Sequence, residues 1–208
     1  MPRAFLLLAA SLALSIVPGA ESSDELQDAR VDRNSPDGRF AIRSGIVDSG
    51  LVFEIVDARS GEPIGTIADS RKGNPKEGYR YLGEIEWAPN SERLAVAMQV
   101  VKHSAQIALF QREGSSFRPV KLPQLSDPFI PARYAHLQAK PGGDYGYWTP
   151  ERWTEEGALI VRGVTDFETS TLKISATRIV TLSPNRAGVW RIVDSSRKFT
   201  VRTLSKSK

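Results

Sequence analysis

The chain has 208 residues, no cysteine, two histidines, 25% charged and 40% hydrophobic residues, and a formal charge of +4 at pH 7. Those values fit a single globular domain. They exclude thiol nucleophiles, thiolate metal sites and disulfides, and bases interleaved with nearly as many acids leave no footprint for nucleic acid.

Met1-Pro2-Arg3 opens with a positive charge, and Ala4 to Val17 is an unbroken apolar or small run ending at Pro18-Gly19-Ala20. Residues 1–20 therefore read as a secretory signal peptide, cut after Gly19 or Ala20. The run falls short of the roughly 20 apolar residues that cross a bilayer, and no cysteine follows it to carry a lipid. The expectation is a periplasmic or secreted protein without stable membrane insertion. Glu21 to Arg30 is polar and without apolar period, and reads as a linker.

Strand signals dominate the rest of the chain. Phe40 to Arg43, Leu51 to Val56, Arg93 to Val101, Gln106 to Phe110, Ala158 to Val164, Thr171 to Leu182 and Val189 to Val193 are rich in β-branched and aromatic residues, with Gly, Pro, Asn and Asp between them. Three turn-to-strand segments align: Ser35-Pro36-Asp37-Gly38-Arg39-Phe40-Ala41-Ile42, Trp87-Ala88-Pro89-Asn90-Ser91-Glu92-Arg93-Leu94-Ala95-Val96, and Trp153-Thr154-Glu155-Glu156-Gly157-Ala158-Leu159-Ile160-Val161. Pro presets φ, Asp or Asn bonds its own backbone, and Gly accepts positive φ. A second hairpin comes downstream of each, closed by Gly61, Gly114 and Gly188.

Two turn types in the same order, three times, resemble the blades of TolB-like and WD40-like β-propellers, in which a Trp-Ser-Pro-Asp-Gly turn leads into the strand. The resemblance spans roughly Val31 to Val193 and departs in places. The first copy has Arg33 and Asn34 where a Trp is expected, the second has Asn90-Ser91 for Asp-Gly, and the third lacks the Pro. It implies an all-β, partial propeller of three blades over residues 31–70, 79–123 and 148–204, with a basic tail at 205–208. A plain β-sandwich is the alternative. Because closed propellers use about four to eight blades, the resemblance also implies a protein partner, or a homodimer of two three-blade sets, over the open sheet edges.

Between the second and third copies, Asp127-Pro128 and the spacing of Ile130, Tyr134 and Leu137 predict a short helix over 131–139. Pro141-Gly142-Gly143 comes next, then Tyr145, Tyr147 and Trp148. These three aromatics, read as lying in an insertion outside the repeat, are the candidate ligand or partner contacts; burial by folding back is equally open.

No motif demands catalysis. There is no Gly-x-Ser-x-Gly elbow and no His-Glu-x-x-His, and His103-Ser104 are strand neighbours that point apart. Asp32, Asn34 and Asp37 carry a faint calcium-loop spacing that Pro36 interrupts, so the reading is a turn, with no metal and no cofactor. The function expected is a non-enzymatic binding or scaffold module acting through protein–protein contact. A small-ligand or glycan binder built on the aromatic stretch is the first alternative. A hydrolase using Asp144, Glu151, Glu155 or Glu156 as acid and base is the second.

Overall fold

The structure, a computed structural model, describes residues 27–48, 50–70, 82–101, 104–126, 128, 130–137 and 146–204. The expected leader, His103, Asp144, Tyr145 and the basic tail lie outside them. Within the described residues the chain is all-β, as composition and turn signals led us to expect. The first four strands are β1 (Gln27–Asp32), β2 (Phe40–Val47), β3 (Gly50–Asp57) and β4 (Pro63–Asp69), paired in that order as one antiparallel sheet. β1 occupies part of the stretch read as a linker from the sequence.

A second sheet contains β5 (Leu82–Trp87), β6 (Arg93–Val101), β7 (Ser104–Glu113), β8 (Ser116–Val120), β9 (Gly146–Trp153), β10 (Leu159–Glu168), β11 (Leu172–Pro184) and β12 (Trp190–Thr203). β5 to β8 pair consecutively and antiparallel, and so do β9 to β12. Among the described residues a single parallel pair, Ala105 with Tyr147, joins the two groups. The chain thus runs through three four-stranded antiparallel meanders, and neither sheet closes on itself.

Strand parity explains how the meanders stack. Side chains alternate faces along a strand, and the middle meander buries both faces of β6. Leu94, Val96 and Met98 join Phe40, Ile42, Phe53 and Ile55 of the first meander in one core. Ala95 joins Leu159, Val161, Val180 and Leu182 of the third meander in another. Burying each Leu, Ile, Val or Phe contributes about 1.5–3 kcal/mol, so apolar packing couples the meanders far more strongly than the lone parallel bridge does.

The helix expected over 131–139 is a single turn, α1 (Ala132–Ala135), started at Pro131 without a side-chain cap. One uncapped turn has no cooperative helix to propagate. Tyr134 is held against Phe199 of β12, with ring centroids 5.5 Å apart.

Candidate functional site

Each seam between meanders is fastened by the same device. Trp87, at the end of β5, donates its indole N–H to the Arg33 carbonyl of the preceding meander at 3.2 Å, and Trp153, at the end of β9, donates to the Glu86 carbonyl at 3.1 Å. Trp87 stacks on Phe40 and meets Phe117 edge-on, while Trp153 meets Trp190 edge-on. Arginines cross the same seams: Arg39 reaches Glu92, and Arg93 donates to the Gly157 carbonyl at 3.2 Å. The two tryptophans singled out by their repeated position are therefore packing residues.

The turns repeat as well. Ser35, Ala88 and Thr154 donate their amides to Phe40, Arg93 and Ala158, and Gly38, Ser91 and Gly157 all have positive φ. Ser91 holds this left-handed conformation although it is not glycine, at φ 59°, and is fully buried. Its hydroxyl accepts the Asp37 amide across the seam at 3.2 Å, which offsets backbone strain of about 1 kcal/mol or more.

Among the described residues, concavities lie along the seams. One of about 450 Å³ opens between the second and third meanders, where Arg33, Glu84, Gln99, Tyr147 and Thr149 surround a floor of Gly83, Ala97 and Ala105. A second, about 380 Å³, lies between the first and second meanders and shares Arg33. A third, about 560 Å³, runs under residues 119–125 and includes Trp148. Arg33 stands between the first two. Its backbone is left-handed at φ 51°, its carbonyl takes the Trp87 indole, and its guanidinium donates to the Ile85 carbonyl at 3.1 Å.

The sequence placed Tyr145, Tyr147 and Trp148 together on a loop. In the structure Tyr147 and Trp148 are consecutive residues of β9 and face opposite ways. Tyr147 is 36% exposed and lines the first concavity, whereas Trp148 is 4% exposed and sits on the inward face. The Trp148 ring lies over Gly163 on β10, where a Cβ would stand 2.7 Å from it. Trp148 is thus a packing residue rather than an exposed stacking platform, because the strand begins at Gly146 and parity turns its ring inward.

Burial pulls the Asp37 carboxyl upward, but hydrogen bonds from the Ser35 hydroxyl, the Arg39 amide and guanidinium, and Ser91 outweigh it and hold its pKa well below the usual carboxylate range. Both its oxygens are taken up within the turn. Burial pushes the Glu86 carboxyl up, opposed in part by Arg33. The Glu156 carboxyl is lowered by its own backbone amide and the Thr154 hydroxyl, a shift opposite to what a general acid needs. Glu151 is ion-paired with Arg162 at 2.9 Å, and Glu155 is exposed in the same turn as Glu156. Ser104 donates to the Gly146 carbonyl at 3.4 Å, and His136 is exposed after α1.

Arg33, Gln99 and Thr149 escaped the sequence reading. Only Arg33 carried a signal: it stands in the neighbourhood where the other two repeats place a tryptophan. No family model matches the chain, and no curated protein matches it. Among solved structures, one assigned as TolB from Agrobacterium tumefaciens aligns with a TM-score of 0.40 and 11% identity, over 87% of this chain and 60% of that one.

Proposed function

We propose that the three meanders are propeller-type blades and that the chain is an exported binding module, engaging a protein partner through the outward face and free edge of its last blade. The observation that carries the reading is a difference in cover at one repeated position. Two residues beyond the equivalent turn bonds stand Ile42, Ala95 and Ile160. Ile42 and Ala95 are 2% and 0% exposed under the next meander, while no element among the described residues covers Ile160 and its neighbour Ile179, which is 38% exposed.

The chemistry of that face selects the partner. Ile160, Val164 and Ile179 form an apolar centre within a mixed-charge rim, in which Lys173 stands between Arg202 on β12 and Glu168 on β10, Asp166 lies on the same face, and Lys198 adds a further cation on β12. β12 is the terminal strand of its sheet, 14 residues long and exposed from Arg191 to Lys198. Strand addition there supplies main-chain hydrogen bonds. Basic side chains disfavour a second identical edge and favour a partner rich in carboxylates.

The test retains envelope proteins on tagged mature chain and on the double variant Lys198→Glu/Arg202→Glu. One stoichiometric protein kept by the first and lost by the second supports the reading. Retention unchanged by the variant, or recovery of bait alone, overturns it. The Tyr147 concavity supports a second reading, a small-ligand site. A saccharide that quenches tyrosine emission in the parent but not in Tyr147→Ala would favour it.

A further inference from the structure

The inward face of the third meander carries a second, unrelated cluster. Arg178 on β11 is 8% exposed and pairs in register with Arg197 on β12. Paired residues of antiparallel strands project to the same side, where like charges repel. Arg178 donates through Nε to the Ser195 hydroxyl at 3.1 Å, and through Nη1 to the Ser126 carbonyl at 3.0 Å and the Ser126 hydroxyl. Among the described residues no ion pair joins either arginine to a carboxylate. A buried cation is costly unless it is paired.

A second observation falls on the same row of the sheet. Arg178 is in register with Gly163, and Gly163 with Trp148. Trp148 is 4% exposed, and its indole Nε1 has no acceptor. Its ring extends over Gly163, so a buried unsatisfied donor belongs to the same inward row as the arginine pair. Two guanidinium groups and two serine hydroxyls, with an indole N–H on the same row, give this face excess positive charge, and no carboxylate is ion-paired with either arginine among the described residues.

We propose that Arg178, Arg197, Ser126 and Ser195 form a binding site for a compact tetrahedral oxyanion, a phosphate or phosphate monoester group. Such a group offers several acceptor oxygens to planar guanidinium forks. It would neutralise the Arg178–Arg197 repulsion and bind the folded chain alone. The site lies on the face opposite the apolar centre proposed for a protein partner, and shares the strand β12 with it.

Thermal unfolding of the mature chain tests this with inorganic phosphate and with sn-glycerol 3-phosphate, each against sodium chloride at equal ionic strength. Phosphate at about 100 times its dissociation constant should raise Tm by about 5 °C. Arg197→Gln, an exposed position that should fold, should lose most of the rise. A larger rise with glycerol phosphate assigns the site to a phosphate ester, and a larger rise with phosphate assigns it to the free ion. No rise beyond chloride, or a full rise in Arg197→Gln, overturns the site. A rise seen only in Asp127→Asn overturns it for the natural chain, because that carboxylate would then be the occupant.

Discussion

The two seams of this molecule share fasteners but differ in what fills them. Between the first and second meanders, Leu94, Val96 and Met98 of β6 meet Phe40, Phe53 and Ile55 in a dense apolar layer. Between the second and third, the opposite side of the same strand presents Ala95, Ala97 and Gln99, and a concavity of about 450 Å³ remains beside Tyr147. One strand therefore supplies a large-residue face that binds sheets together and a small-residue face that leaves room. Where the second seam is packed, tryptophans supply the bulk: Trp148 over Gly163, and Trp153 against Trp190.

Truncation in the filled seam should have the largest effect. Leu94→Ala should cost about 2–5 kcal/mol in denaturant unfolding, since the site is fully buried and rigidly walled. Gly163→Ala attacks the other seam from the opposite direction. Its methyl would overlap the Trp148 ring, and a loss of about 1–3 kcal/mol is expected, relieved when Trp148→Leu is added. If the double variant is no more stable than Gly163→Ala alone, the ring is not the obstacle.

The fasteners come next. Trp153→Phe keeps the ring and deletes the donor to Glu86, at an expected cost of about 1 kcal/mol. Trp87→Phe should cost less, because its bond to the Arg33 carbonyl lies where water can replace it. Equal losses at the two positions would erase this distinction between the seams.

The smallest effect is a pH dependence confined to the first seam. Asp37 titrates below its unfolded value of 3.8, so its contribution is complete above that value and is lost as pH falls through the folded pKa. Asp37→Asn should flatten the acid limb of the stability profile and leave its neutral plateau lower but level. Glu86, raised by burial, acts with the opposite sign: the advantage of Glu86→Gln over the parent should grow as pH rises from the unfolded value of 4.5 to the folded pKa of Glu86 and stay level above it.

How much of the fold was legible in the sequence depends on where each strand lies. β2, β3, β6, β7, β10 and β11 are interior strands of their meanders, and their β-branched runs could be read directly. β1, β4, β5, β8 and β9 could not, because they are polar, glycine-bearing or interrupted by proline. Pro119 sits in β8 and Pro150 in β9, and proline argues against a strand unless a free edge or a bulge accommodates it. The ladder between β9 and β10 does shift at Ile160 and Val161, where Pro150 pairs. Missing β9 moved Tyr147 and Trp148 onto a loop and hid the parity that separates them. The turns read correctly even at Ser91, where a serine takes the place of glycine. Arg178 was invisible, because nothing local in Thr177-Arg178-Ile179 marks which side of the sheet it faces or what lies opposite.

The lone bridge between Ala105 and Tyr147 has a mechanical meaning. A sheet that is continuous in hydrogen bonding transmits a pull along its ladder, but here, among the described residues, the ladder narrows to one rung at the midpoint. Backbone amides on either side should therefore open to solvent as two separate blocks, with side chains of the second seam as the main clutch between them among the described residues. A ligand or partner seated at that seam would act as a brake on their independent opening.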